Sequence, residues 1–506
     1  MKVVSTNPAT GETRDLDVDE ASPAEVRRLS ELALDAAPDL AARSLEWRAG
    51  MLRAMADELE VDRDALVTVA DEETALGRPR LEGELRRTAF QLRFFAGVVE
   101  DGSFLDASID HATDSPMGPL PDLRRVMVPL GPVAVFGSSN FPFAFSVPGG
   151  DTASALAAGC PVVIKAHPAH PATSLACFAA LERAARAVDA PTGTLGLVFG
   201  VDAGTALVDS PAISAVGFTG SVAGGRALWQ RAHSRPHPIP FFGELGAANP
   251  LVVTPTAAAQ RGEEIGEGVA GSLTLGAGQF CTKPGLVFVP EGPDGDGLMT
   301  ALAGALVGRA RFTLLSAAIA ERFREGARAI HDAGARALVG PSDAHGAQAD
   351  AALFEVSVDE FVAPGATTLR EECFGPVGVV VRYASPDDLR RALEAAAPSL
   401  AFSLFAADDD PDSAWLLGWA ATRAGRVVMN AYPTGVGVSW SMQHGGPWPS
   451  TTQASSTSVG AAAIHRWLRP VTYQGVANAL LPLALRDATT SLPRRVDGVA
   501  LPATTV

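Results

Sequence analysis

"PVAVFGSSNFPFAFSVPGGDTASALAAGCPVVIKA" (Pro132–Ala166) decides the fold. It begins and ends on short apolar runs, PVAVFG and PVVIKA, each rich in valine and isoleucine and too short for a helix. Two similar runs follow, LGLVFG (195–200) and ISAVGF (213–218). Helical segments such as PATSLACFAALERAARAV (171–188) lie between them. Strands that are apolar on both faces and alternate with helices form parallel β-α-β units. In such a sheet, ligands sit at the carboxyl ends of the strands. The residues that follow each apolar run are therefore the ones to search for function.

Upstream, the chain to about Gly102 has helical spacing. ASPAEVRRLSELAL (21–34) opens with Ser22 and Glu25 in capping-box spacing and Pro23 at the first helical position. A short polar stretch, DHATDSPMGPLPDLRR (110–125), separates these helices from the sheet. Downstream of GELGAANPLVVT, a second α/β alternation runs through GLVFVP, GPVGVVVRY, LAFSLFA and GRVVMN. The Pro-rich tail after Tyr473 reads as irregular, packed on another surface.

Composition narrows the function. The chain has 506 residues, 47% of them hydrophobic, enough for two or three lobes. A formal net charge of -17 argues against nucleic acid and anionic membrane as partners. No apolar stretch approaches a membrane span, and the amino terminus does not resemble a signal peptide, so a cytoplasmic protein is expected. Four cysteines without a CxxC or HExxH pattern make neither a disulfide framework nor a metal site expected.

Five stretches carry candidate chemistry, each with a plainer alternative. Asn140, after VAVFG, either points amide donors into a cleft or caps a turn. Lys165, at the end of a buried strand, either meets an anion or snorkels to the surface. Gly217 and Gly220 let the backbone turn toward Ser221 at a helix start, where free N–H groups suit a phosphate; glycines at strand–helix turns are common. Glu244, bordered by glycines and apolar residues, is either a base with a raised pKa or a structural carboxylate. Cys281, in GQFCTKPGL (278–286), has a glycine-flanked backbone and a nearby cation, Lys283. It is either a thiol of lowered pKa or an inert buried one. Cys160 and Cys177 read as packing residues, and Cys373 follows two acids.

Taken in order, these stretches resemble the aldehyde dehydrogenase superfamily over nearly the whole chain. SSNFP, VVIK, GFTGS, ELGAANP, GQFCTKPG, EECFGPV and VVMNAY are similar to seven of its motifs. The resemblance implies an α/β fold with a Rossmann-like cofactor-binding lobe (1–113 and 130–244). It adds a second α/β catalytic lobe (245–445) and a small oligomerisation arm (114–129 and 446–506) in a homodimer or homotetramer. It also implies a mechanism. Cys281 attacks an aldehyde, and Asn140 with the Cys281 N–H holds the oxyanion. Hydride leaves to a nicotinamide, and Glu244 activates water against the thioester. Lys165 is implied at the adenosine ribose or a 2′-phosphate, Gly217, Gly220 and Ser221 at the pyrophosphate, and Glu372 with Phe374 at the nicotinamide ribose.

Departures from the family pattern sharpen this. Ser138 and Ser139 stand where many members have tryptophan and proline. Pro168 stands where many NAD-preferring members have a glutamate that would repel a 2′-phosphate, so NADP or dual use of NADP and NAD is expected. KAHPAHPATS and the run from His444 to Gly475 are most similar to a bacterial branch. That branch holds α-ketoglutarate semialdehyde (2,5-dioxovalerate) dehydrogenases and NADP-linked fatty aldehyde dehydrogenases. The expected substrate is the semialdehyde, with medium- or long-chain aldehydes as the alternative. Phe141, Phe143 and Trp440 are candidate pocket walls. Intact Cys281, Glu244 and Asn140 argue against a catalytically silent structural relative, and Glu244 argues for hydrolysis over transfer to coenzyme A.

Overall fold

The computed structural model describes residues 1–340, 344–489 and 491–503. Five strands, Val133–Phe136, Val162–Lys165, Leu195–Val198, Ala215–Gly220 and Phe241–Leu245, form an all-parallel sheet. Its spatial order starts at 241–245 and runs through 215–220, 133–136 and 162–165 to 195–198. Alternate residues of one strand enter different cores. Val133, Val135, Val162 and Ile164 pack with helices Leu45–Val61, Arg78–Asp101 and Gly150–Ala158. Ala134, Phe136 and Val163 pack on the other face with Val26, Ala203 and Leu207. Burial on both faces is why these strands read as unbroken apolar runs.

A second sheet has seven strands. In spatial order they are Arg336–Val339, Ala352–Ser357, Val377–Tyr383, Leu286–Pro290, Pro250–Val253, Ser399–Phe405 and Ala424–Met429. Only the edge strand 336–339 runs antiparallel to its neighbour. Asn140 follows a strand of the first sheet, whereas Gln279 precedes a strand of the second. The Asn140 Nδ2 donates to the Gln279 carbonyl at 2.8 Å, so the carboxyl ends of one sheet meet the amino ends of the other.

Three regions differ from their sequence patterns. The chain starts with an antiparallel hairpin, Lys2–Thr6 with Thr13–Asp19, before its four helices. Ser22 accepts the Glu25 N–H, but the Glu25 carboxylate turns to Arg28 at 2.8 Å, so only half of the capping box forms. The tail is not irregular throughout: Arg494–Val496 and Val499–Leu501 form a hairpin through Asp497 and Gly498, both at positive φ. An Asp-Gly pair is a strong two-residue hairpin signal. The hairpin joins Ala107–Asp110, Leu123–Pro129 and Leu468–Gln474 in a third sheet.

The glycine turn expected at 217–220 is also different. Gly217 lies within the strand, paired with Val135 and Phe242. A Cβ there would stand 2.6 Å from Asp151 Oδ2 and 2.9 Å from Trp467 Cη2. Its smallness admits these buried groups and the Asp151–Arg466 ion pair of 2.6 Å, so it makes no turn. Gly217→Ala should destabilise the protein by about 1–3 kcal/mol through overpacking. A urea unfolding midpoint equal to that of the wild type would contradict this.

Candidate active site

Cys281 owes its position to backbone geometry. After the helix Pro255–Thr274, the chain turns through Gly276, Ala277 and Gly278, all at positive φ. A Cβ on Gly278 would collide with the Gly375 carbonyl. Left-handed backbone and close approach together demand glycine there. Asn249 then ties the loop down. Its buried Nδ2 lies within 2.8 Å of the Cys281 carbonyl and 3.0 Å of both the Ala247 and Lys283 carbonyls.

Lys283 does not activate the thiol. Its buried ammonium donates to the carbonyls of Cys373, Gly375 and Val377 at 2.8–2.9 Å. It holds the Glu372 loop against the Cys281 loop. The Cys281 thiol is pushed well up, first by burial and then by the Glu244 carboxylate, and the Arg426 guanidinium opposes this only weakly. The lowered pKa expected from the sequence is absent in this geometry.

The partner of the thiol is His444. Its Nε2 lies 3.5 Å from Cys281 Sγ and 2.9 Å from Glu244 Oε1. Ser458 donates its hydroxyl to the other Glu244 oxygen. Glu244, only 3% exposed, is the last residue but one of the strand Phe241–Leu245. Burial pushes its carboxyl up, but the His444 ring and the hydrogen bonds from His444, Ser458 and Cys281 outweigh that and hold it low. The raised pKa expected for Glu244 is therefore reversed. His444 is itself positioned by its N–H to Thr457 Oγ1, 2.8 Å, and by the Ser458 N–H to its carbonyl, 2.9 Å. Sequence reading missed both His444 and Ser458. The available signal was a lone histidine in a glycine-rich loop, which spacing cannot link to a glutamate 200 residues away. The thiol, imidazole and carboxylate donor atoms also lie within 4.8 Å of one another, a possible metal-ligand set that no sequence spacing announced.

Asn140 is buried beside this loop through its bond to Gln279, and its carbonyl accepts from Arg80 Nη2 at 2.6 Å. Phe141 packs edge-on against Phe145 and Phe280, with ring centroids 5.3 and 5.1 Å apart. Phe145 also faces the His444 ring at 6.4 Å. Phe143, expected in the pocket, is instead fully buried in the helical core, and its N–H donates to Glu84. The chain turns through 142–145, with the Phe145 N–H bonded to the Phe141 carbonyl, so Phe141 and Phe145 come together on one side while Phe143 points to the opposite one; Phe145 and Phe280 are the rings beside Phe141. Trp440 is 55% exposed and packs edge-on against Phe94 at the surface.

On the cofactor side, Lys165 ends its strand nearly buried, and burial lowers it to about 8 against an opposing pull from Glu20. Ser221 caps the helix Val222–His233 and accepts only the Gly224 N–H, leaving the N–H groups of the first turn for an anion. Gly220 closes the preceding strand one residue earlier. Glu372 is pushed up to about 7 by burial, partly offset by Lys283. Its carboxylate occupies the space that a Cβ on Gly246 would fill. Phe374 is half-buried beside it in sequence.

The model of the aldehyde dehydrogenase family matches residues 1–472, and the chain belongs to that family. It is an NAD(P)-dependent oxidoreductase acting on aldehydes. Alpha-ketoglutaric semialdehyde dehydrogenase 2 of Azospirillum brasilense is 46% identical over 503 residues, 98% of this chain and 95% of its own. An alpha-ketoglutaric semialdehyde dehydrogenase of Acinetobacter baylyi is 41% identical over 460 residues, 90% of this chain and 87% of its own. An NADP-dependent enzyme of E. coli shares the fold with a TM-score of 0.79 at 22% identity, covering 94% of each chain. No helix among the described residues is long and apolar enough to cross a membrane.

The electrostatics give a pH prediction. Since burial and the Glu244 carboxylate both raise the Cys281 pKa, alkylation of Cys281 by iodoacetamide should rise only at alkaline pH. Glu244→Gln removes the negative charge and should move that profile to lower pH. A shift to higher pH, followed by mass spectrometry of the modified peptide, would show that another group controls the thiol.

Proposed function

We propose that this chain oxidises α-ketoglutarate semialdehyde (2,5-dioxovalerate) to 2-oxoglutarate, using NADP or both NADP and NAD. The observation that carries the substrate is the pair of relatives of that name, each more than 40% identical over at least 90% of the chain. In this reading the Cys281 thiol gives its proton to His444 as its sulfur attacks the aldehyde carbon. Support comes from the 3.5 Å contact of Cys281 Sγ with His444 Nε2; the Glu244 carboxylate, 2.9 Å from the same nitrogen, is placed to accept that proton in a hydrogen bond. The thiohemiacetal oxyanion takes hydrogen bonds from the Cys281 N–H and the Asn140 amide, where charge develops. For the amide, this requires turning from the Gln279 carbonyl or using its second N–H.

The residues present fit a nicotinamide dinucleotide: an almost buried lysine at a strand end, the first helical turn after Ser221 with N–H groups that Ser221 leaves unbound, and the Glu372 carboxylate against Gly246. When bound, this cofactor accepts the hydride and leaves a thioester on Cys281. Lys165 would hold its adenosine ribose or 2′-phosphate, and Glu372 its other ribose. Glu244, ionised at neutral pH, then takes a proton from the water that attacks the thioester. With no acid at position 168, the repulsion that such a residue would exert on a 2′-phosphate is missing, and Lys165, within the field of Glu20, stands at the site as its cation. The sheet of 107–129 and 468–501, with exposed Met117, Leu480 and Leu483, would serve as the arm of a homodimer or homotetramer. The cofactor-binding, catalytic and arm segments of the family, and a cytoplasmic site of action, belong to the same reading.

A second reading, oxidation of aliphatic aldehydes, is favoured by the Phe141–Phe145–Phe280 cluster. An apolar tunnel would gain roughly 0.8 kcal/mol for each methylene buried. The test compares kcat/KM for the semialdehyde with that for aliphatic aldehydes of increasing length. Efficiency that climbs with length past the charged substrate would favour the second reading. Three substitutions check the chemistry. Cys281→Ala should abolish turnover while keeping cofactor binding; residual reduction of NADP would reject the nucleophile. Glu244→Gln should accumulate an acyl adduct visible by intact-protein mass spectrometry, and free acid at the wild-type rate would reject the base. Pro168→Glu should shift preference toward NAD by about 1–3 kcal/mol, as a charge-assisted bond replaces a tolerated phosphate. A wild-type enzyme already selective for NAD would contradict the cofactor proposal.

A further inference from the structure

We propose that Arg87 is the anchor for the substrate's carboxylate, the cation that distinguishes a 2-oxo acid semialdehyde from an uncharged aldehyde. This rests on the substrate reading above and names the residue that would enforce it.

A five-carbon semialdehyde carries its carboxylate four carbon–carbon bonds from the aldehyde carbon, about 5 Å when extended. The cation must therefore stand on a wall adjoining Cys281. The helix Arg78–Asp101 supplies that wall. Arg80, Glu84 and Arg87 follow at helical spacing along one face. The Arg80 guanidinium lies over the Phe141 and Phe280 rings, and that of Arg87 lies 5.2 Å from the centroid of Phe145. Phe145 in turn faces His444.

Three arginines come close to this site, and their hydrogen bonds separate them. Arg80 commits Nη2 to the Asn140 carbonyl in a short bond of 2.6 Å, steadying the loop that carries the amide; its Nη1 is also buried without a partner among the described residues, but its charge is coupled to Glu84 and not to Cys281 or Glu244. Arg426 commits both terminal nitrogens to backbone, to the carbonyls of Gly435 and Pro433. Arg87 makes one long bond, from Nη2 to the Val436 carbonyl at 3.3 Å. Its Nη1 is buried and has no hydrogen-bond partner among the described residues. A buried charged donor left without a partner is costly, about 1–3 kcal/mol or more, and calls for a ligand.

The surrounding charges agree. Arg87 responds to Glu84, Cys281 and Glu244, whereas Arg80 responds to Glu84 alone. Glu84 spends one oxygen on the Phe143 and Ala144 N–H groups, and burial pushes its carboxyl up, so it does not neutralise both arginines. The helix face therefore keeps an excess of positive charge beside the aromatic wall. An anion on a short chain satisfies Nη1, and an alkyl chain cannot.

The test is the ratio of kcat/KM for α-ketoglutarate semialdehyde to that for pentanal, in wild type, Arg87→Met and Arg87→Lys. Arg87→Met should lower this ratio on the order of 100-fold, as expected when one partner of a buried charge pair is removed. Arg87→Lys, which keeps the charge without the planar fork, should lower it about 10-fold. The product 2-oxoglutarate should also inhibit pentanal oxidation at least about 10-fold more weakly in Arg87→Met. If the wild type prefers the semialdehyde and the ratio is unchanged in whichever variant folds, the anchor assignment fails and the substrate reading stands. Equal losses on both substrates would likewise overturn the anchor. If the wild type shows no preference for the charged substrate, the substrate reading fails and the anchor with it.

Discussion

The buried side-chain amide of Asn249 holds the catalytic centre together. Its nitrogen binds the carbonyls of Ala247, Cys281 and Lys283, and its oxygen accepts the Ala401 N–H at 3.0 Å. One residue thus joins the loop after Glu244, the loop of Cys281 and the strand Ser399–Phe405 of the second sheet. No apolar side chain could replace it, because each of these backbone groups is shielded from water and needs a partner. Asn249 itself sits at a positive φ, a conformation that asparagine tolerates better than most residues. Lys283 repeats the device on the other side, binding three carbonyls at the entry to the strand Val377–Tyr383. Together they fix Glu244, Cys281 and Glu372 with respect to one another.

Within that frame, burial alone would neutralise both reacting groups. It raises the thiol and the carboxyl alike. His444 separates their fates. It holds Glu244 in its ionised form, whereas Cys281, faced by that same carboxylate, keeps its proton at rest. A thiol of this kind gains its charge when the imidazole can take the proton during attack, and it is otherwise protected from adventitious oxidation. The Cys281–His444–Glu244 line is thus a coupled unit. In the proposed mechanism a change at Glu244 therefore alters the nucleophile as well as the base.

The cleft between the sheets divides the work. In the proposed reading the first sheet offers strand ends and a helix start to the cofactor, as parallel sheets do. The second offers its amino-terminal loops to the thiol and to Glu372. The aromatic wall of Phe141, Phe145 and Phe280, overlaid by guanidinium groups from the helix Arg78–Asp101, closes the remaining side. Apolar contact with a short chain and attachment of a charged end are therefore available at one surface.

Much of this was legible in sequence. Apolar runs at Val133–Phe136 and Val162–Lys165 declared parallel strands because both faces are buried. Asn140, Lys165, Ser221 and Glu244 stood out because they follow such runs, and Cys281 because its loop is rich in glycine. The amino-terminal hairpin was missed because its strands are polar on their exposed face. The Asp497-Gly498 hairpin was legible but sat in a tail that otherwise lacked a pattern. What local sequence could not reveal was direction and partnership. Lys283 was near Cys281 along the chain, yet its ammonium turns to three carbonyls. Phe143 lay two residues from Phe141 but faces the helical core. His444 meets Glu244 across 200 residues, and Arg87 meets Phe145 across the gap between a helix and a loop. The sequence by itself determined which strands form and which loops carry chemistry, since burial period and backbone freedom are local properties. Only the tertiary structure decided which charges face each other, because the pKa of a group depends on neighbours brought close in space and on the water they exclude.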